Sequence, residues 1–127
     1  MRALVVDDSR TMRRIIARTL LPLGFGTIEA ANGQQALDVL EDGISVDLAC
    51  VDWNMPILDG LGFVLAVRGD NRWRGITLMM VTTEGEASHI VRALAAGAHE
   101  YIIKPFTPHA IRGKLQLLGL VELQESA

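Results

Sequence analysis

Five short apolar runs recur along the chain, at Ala3–Val6, Thr27–Ala30, Leu48–Val51, Thr77–Val81 and Tyr101–Ile103, and the segments between them carry helical spacing. A run such as Leu4, Val5 and Val6, apolar at consecutive positions, reads as a strand covered on both faces, and such strands belong mostly to parallel sheets flanked by helices. After the first run, Met12, Ile15, Ile16 and Leu20 mark the buried stripe of a helix, and Arg10, Arg13, Arg14 and Arg18 its solvated flank. Proline and glycine in "PLGFG" stop that helix. In "AANGQQALDVLEDG", Asn32 is placed to cap a helix that ends at Gly43. Further helices are predicted in "LGFVLAVRG", in "EASHIVRALAAG", and in "TPHAIRGKLQLLG" with Thr107 as cap and Pro108 in the first turn. Gly113 and Gly119 in the last of these cost about 1 kcal/mol each if interior, so its far end is expected to fray.

Strands alternating with helices imply βαβ units, and right-handed crossovers then place helices on both faces of an open parallel sheet. The expected fold is a doubly wound α/β sheet in a single domain, residues 1–127, with its core over about 3–118 and a short tail at 119–127. No second domain, repeat or effector segment is expected. The composition is half hydrophobic, with a formal charge of −3, and offers no basic surface for nucleic acid. No apolar run is long enough for a membrane helix, and the first residues lack a signal-peptide pattern, so a cytoplasmic location is expected. The lone cysteine, Cys50, lies in an apolar strand and reads as a small core residue rather than a nucleophile.

Sites in doubly wound sheets form beyond the carboxyl ends of the strands. Asp7 and Asp8 follow the first strand, Asp52 the third, Thr82 and Thr83 the fourth, and Lys104 the fifth. One of the paired aspartates has a bland use as the cap of the next helix, and each other residue taken alone is an ordinary surface group. Jointly they put carboxylates, hydroxyls and an ammonium on one edge. Neighbouring carboxylates repel unless a cation lies between them. Hard oxygen ligands suit a divalent ion, and Mg2+ better than calcium, because it keeps waters and completes its shell with phosphate oxygen. A carboxylate can itself be the nucleophile, forming an aspartyl phosphate, and Asp52 stands alone where Asp7 and Asp8 form a pair suited to metal. Lys104 and a hydroxyl of Thr82 would then face the phosphoryl oxygens.

The stretches "VVDDS", "DWNMPILDG", "VTTE" and "YIIKPF" occur in order at compatible spacings. With them the chain resembles the receiver domains of bacterial two-component response regulators, most closely the single-domain chemotaxis type, from Leu4 to about Leu118. The resemblance implies a flavodoxin-like strand order 2-1-3-4-5. It implies that Asp52 is the phosphoacceptor, that Asp7 and Asp8 form the acidic metal site, and that Asn54 adds a ligand through its backbone carbonyl. It implies further that Thr82 follows the phosphoryl group, that Tyr101 changes rotamer with it, that Lys104 contacts phosphate, and that the Lys104–Pro105 bond is cis. Met55, Pro56, Asp59 and Gly60 would shape the loop, with Asp59 capping the next helix. Trp53 is expected to be a partly exposed reporter and Trp73 to pack a loop. Thr83 stands where small residues are common in the family.

The function so implied is a phosphorylation switch rather than an enzyme acting on a separate substrate. The donor would be a sensor histidine kinase or a histidine phosphotransfer protein. The target would be a protein reading the fourth helix, fifth strand and fifth helix, with the chain a monomer or a weak phosphorylation-dependent dimer. Asn54 and Glu84, two positions after Asp52 and Thr82, would orient water for fast self-dephosphorylation. A haloacid-dehalogenase-like phosphatase would want a carboxylate where Asn54 stands. A flavin-binding module would want a hydroxyl-rich and glycine-rich loop where Asp7 and Asp8 stand. A receiver-like module that is never phosphorylated would lack an acid or the lysine.

Overall fold

A computed structural model describes residues 1–122; the last five positions of the tail, 123–127, lie outside the described residues. The chain runs β1 (Arg2–Val6), α1 (Arg10–Leu20), β2 (Gly26–Ala30), α2 (Gly33–Glu41), β3 (Leu48–Val51), α3 (Gly60–Arg68), β4 (Thr77–Thr82), α4 (Ala87–Ala96), β5 (Glu100–Ile103) and α5 (Pro108–Leu117). All five strands pair in parallel, in the order β2-β1-β3-β4-β5. The doubly wound sheet expected from the alternation of strands and helices is therefore the observed one.

Strand pleating divides the core into two layers. Leu4, Val6, Ala49, Val51, Leu78 and Met80 face α2, α3 and α4, where Leu40, Phe63, Val67 and Ala93 close the packing. Ala3, Val5, Leu48, Cys50, Met79 and Val81 face α1 and α5, against Ile16, Leu20, Ile111 and Leu115. Cys50 is a core residue as expected, and burial pushes its thiol pKa up to about 12. Trp73 is buried with the first layer, and the Arg72 guanidinium lies over its ring at 4.6 Å.

Helix starts follow side-chain capping chemistry. Ser9, Asn32, Asp59 and Thr107 each accept a hydrogen bond from the backbone N–H three residues on. The cap of α1 is thus Ser9, and neither Asp7 nor Asp8 serves as one. Two expectations about α1 need correction. Ile15 is 44% exposed, because the helix presents only Ile16 and Leu20 fully to the sheet. Arg13 is drawn inward by two acceptors, the Asp7 carbonyl at 2.7 Å and Glu29 Oε1 at 3.0 Å.

The far end of α5 closes in a defined turn. Gly119 lies beyond the helix at φ +75°, its N–H donates to the Gln116 carbonyl, and the Leu120 N–H donates to the Leu115 carbonyl. This is the Schellman closure, in which the left-handed residue is favoured as glycine. Leu120 and Val121 then pack, partly buried, against the second layer. Among the described residues no helix is long and apolar enough to cross a membrane.

Candidate functional site

The parallel register delivers the polar strand ends to one edge. The Asp7 N–H donates to the Ala30 carbonyl and the Asp52 N–H to the Val6 carbonyl, which continues the ladder one residue past β1 and β3. Oxygens of Asp7, Asp8 and Asp52 thereby come within 4.8 Å of one another. Asp7 is fully buried, Asp52 half-buried and Asp8 exposed. Lys104 reaches in from the end of β5, its Nζ 2.6 Å from Asp7 Oδ2 and 3.4 Å from Asp52 Oδ2. Its own N–H is held by the Thr82 carbonyl at 2.8 Å, and the Lys104–Pro105 peptide is cis. Asp7 Oδ1 accepts from the Ser9 N–H, and Asp52 Oδ1 from the Trp53 N–H.

Close packing sets the loop after β3. A Cβ on Gly60 would fall 2.0 Å from the Asp52 carbonyl oxygen, and the Gly60 N–H donates to the Trp53 carbonyl at 2.8 Å. Only glycine lets α3 begin so near the strand end. Ile57, at the tip of the loop, has φ +71° and is 83% exposed, an uncommon backbone conformation for a β-branched residue.

Three carboxylates and one ammonium leave an excess of negative charge on this edge. An all-oxygen donor set of that kind fits a hard divalent cation. The same chain matches the family described as the response regulator receiver domain over residues 3–116.

The chain belongs to the response regulator receiver family.

This receiver domain is 45% identical over 119 residues to the chemotaxis protein CheY1 of Helicobacter pylori strain J99, covering 93% of this chain and 96% of that one. It is 42% identical over 117 residues to the chemotaxis protein CheY of Pseudomonas aeruginosa, covering 91% and 94% of the two. Among solved structures, the chemotaxis protein CheY4 of Vibrio cholerae superposes with a TM-score of 0.83 at 33% identity, over 91% of this chain and 96% of that one. The receiver domain is therefore a CheY-like phosphoacceptor domain.

The switch candidates of the receiver domain sit differently from a simple pair at adjacent strand ends. In the ladder Tyr101 lies opposite Met80, and Thr82 opposite Ile103. Glu84 connects the two: its N–H donates to Thr82 Oγ1 at 3.3 Å, and its carbonyl accepts from the Tyr101 hydroxyl. Thr82 is fully buried and the Tyr101 ring nearly so. Burial, then the nearby Glu84 and Asp52 charges, raise the Tyr101 pKa above its usual value. Thr83 points outward and is exposed.

Trp53 departs from expectation. It is 6% exposed, covered by the His89 ring edge-on at 5.0 Å between centroids and by the Arg92 guanidinium at 5.8 Å. Sequence reasoning had no signal for His89, because only folding lays α4 over the residue after Asp52. It also missed Arg13 beside Asp7, although an arginine in the first turn after an acidic pair is a legible hint. Asn54 and Glu84 do come together, with Asn54 Nδ2 donating to Glu84 Oε1 at 2.6 Å.

Proposed function

We propose that this receiver domain accepts a phosphoryl group on Asp52 from a phosphohistidine and converts it into altered protein contacts. The observation that carries this reading is the convergence of Asp7, Asp8 and Asp52 beside the ammonium of Lys104. The donor is a sensor histidine kinase or a histidine phosphotransfer protein. In the transfer, an Asp52 oxygen bonds to phosphorus as the bond from phosphorus to the imidazole nitrogen breaks, and the electron pair stays with the imidazole. Lys104 Nζ, already beside Asp52, offsets the charge on the phosphoryl oxygens. Asp7, Asp8 and Asp52, with the backbone carbonyl of Asn54, would hold magnesium, which when bound supplies further positive charge to those oxygens.

The response starts at Thr82. If its hydroxyl turns to the phosphoryl group it releases the Glu84 N–H, loosening the residue whose carbonyl holds Tyr101. Tyr101 then repacks, and the surface of α4, β5 and α5 presented to a target changes. Kinship with chemotaxis proteins supports a cytoplasmic signalling role. Asn54 and Glu84 are polar groups able to orient water, which supports self-dephosphorylation within seconds to minutes rather than hours.

The test is labelling with a small-molecule phosphodonor and magnesium, read as a mass increase on the intact protein. Wild type is expected to take one phosphoryl group and Asp52→Asn none. Undiminished labelling of Asp52→Asn would mean that another carboxylate is the acceptor.

A further inference from the structure

Glu84 is tied to the fold on three sides. Its backbone meets Thr82 and Tyr101, and one carboxylate oxygen accepts from Asn54. Its other oxygen, Oε2, faces His89 Nε2 at 3.8 Å. His89 lies in the first turn of α4, and its ring packs edge-on against Trp53 at an interplanar angle of 78°. Its Nδ1 is buried, makes no hydrogen bond among the described residues, and lies 3.8 Å from Glu86 Oε2. The ring is therefore wedged between the indole that follows Asp52 and two carboxylates. The indole is itself fixed, since Trp53 is buried and its carbonyl accepts from Gly60.

We infer that His89 is a positioning residue for self-dephosphorylation, acting through Glu84 and Asn54; this rests on Asp52 being the phosphoacceptor. In hydrolysis a water oxygen bonds to phosphorus, the bond from phosphorus to the Asp52 oxygen breaks, and the electron pair returns to the carboxylate. Both water protons leave with the inorganic phosphate as dihydrogen phosphate. The water must approach from the side opposite Asp52, so the groups that orient it have to stay at the mouth of the site. Asn54 spends one amide hydrogen on Glu84 and keeps its second hydrogen and its carbonyl for water. His89, packed against the Glu84 carboxylate and against Trp53, keeps Glu84 in place. Without the imidazole the Glu84 carboxylate is free to turn to solvent, and Asn54 loses its anchor. A freed Glu84 and an unanchored Asn54 both slow the attack of water.

The experiment loads the full chain from a small-molecule phosphodonor with magnesium, removes the donor, and follows loss of label by intact mass. His89→Ala is expected to decay roughly three- to tenfold more slowly than wild type. His89→Gln, whose polar amide can still lie against the Glu84 carboxylate, recovers most of the rate. In a Glu84→Gln background, His89→Ala has no further effect, because its action passes through the missing carboxylate. A decay rate in His89→Ala equal to wild type, or effects that simply multiply in the double variant, overturns the positioning role alone. Absence of label in wild type overturns the phosphoacceptor reading as well. If His89→Ala fails to fold, His89→Leu, which keeps an apolar cover on Trp53, takes its place in the same cycle with the same expected result.

Discussion

Asp7 shows how one buried carboxylate is held in place: Lys104 meets one oxygen and the Ser9 N–H the other, each oxygen keeping a lone pair, while Arg13 takes the backbone carbonyl. Asp8, exposed beside it, brings a carboxylate oxygen within 4.8 Å of those of Asp7 and Asp52 and, in the proposed function, is the more accessible ligand for magnesium. Asp8→Ala should therefore weaken magnesium binding far more than Asp38→Ala, whose side chain sits on α2 and bonds Gln34. The measurement is a magnesium titration of Trp53 fluorescence in a Trp73→Phe background; equal affinities would remove Asp8 from the metal site. At the other end of the sheet, His99 Nδ1 accepts from the Leu78 N–H and faces the Arg68 guanidinium, both at 3.1 Å. Partial burial, then the Arg68 charge, lowers its pKa below 6.5. The folded state thus binds this proton less readily than the unfolded chain. Stability is kept above pH 6.5 and falls as pH drops through the window down to the depressed folded value. Chemical denaturation across that window should show the loss in wild type and a flatter profile in His99→Gln; superimposable profiles would dismiss the contribution of His99.

The two glycines of the α5 region differ in what the element asks of them. Gly113 is inside the helix, where an added Cβ would meet nothing within 4 Å, whereas Gly119 supplies the left-handed residue of the closing turn. Gly113→Ala should stabilise the protein by up to about 1 kcal/mol, since alanine loses less backbone entropy in a helix. Gly119→Ala should destabilise it by about 1 kcal/mol, roughly 3–5 °C in melting midpoint. Thermal melts of the pair check this, and shifts of the same sign would refute the assignment of the turn. The element that begins at Gly60 follows a different rule, because there the neighbouring backbone, not φ, excludes a side chain.

For the whole molecule the proposed function needs a path from the acidic edge to the face of α4, β5 and α5. Hydrogen bonds link Thr82 through the backbone of Glu84 to Tyr101, and Val91, Leu94 and Ile103 are exposed on α4 and β5. Beryllofluoride, a stable stand-in for the phosphoryl group, should shift amide resonances across residues 82–118 in wild type. Thr82→Ala should bind it and lose most of the shift beyond the β4–α4 loop. An unshifted spectrum in wild type would mean that the path does not switch.

The sequence alone was enough for the alternation of strands and helices, for the caps at Asn32, Asp59 and Thr107, and for the set of polar residues at strand ends. These depend on local periodicity, capping chemistry and the rule that parallel strands end on one edge. It was not enough for the exposure of Ile15, the inward turn of Arg13, the burial of Trp53 or the closing turn of α5. Each of those depends on partners far along the chain or on packing angles between elements. Glu29 and the Asp7 carbonyl draw Arg13 in, α4 lays His89 over Trp53, and the second layer receives Leu120. Likewise, that Glu84 meets both Asn54 and His89 was decided by tertiary structure, because a side chain's partner is set by distances that only the assembled sheet defines.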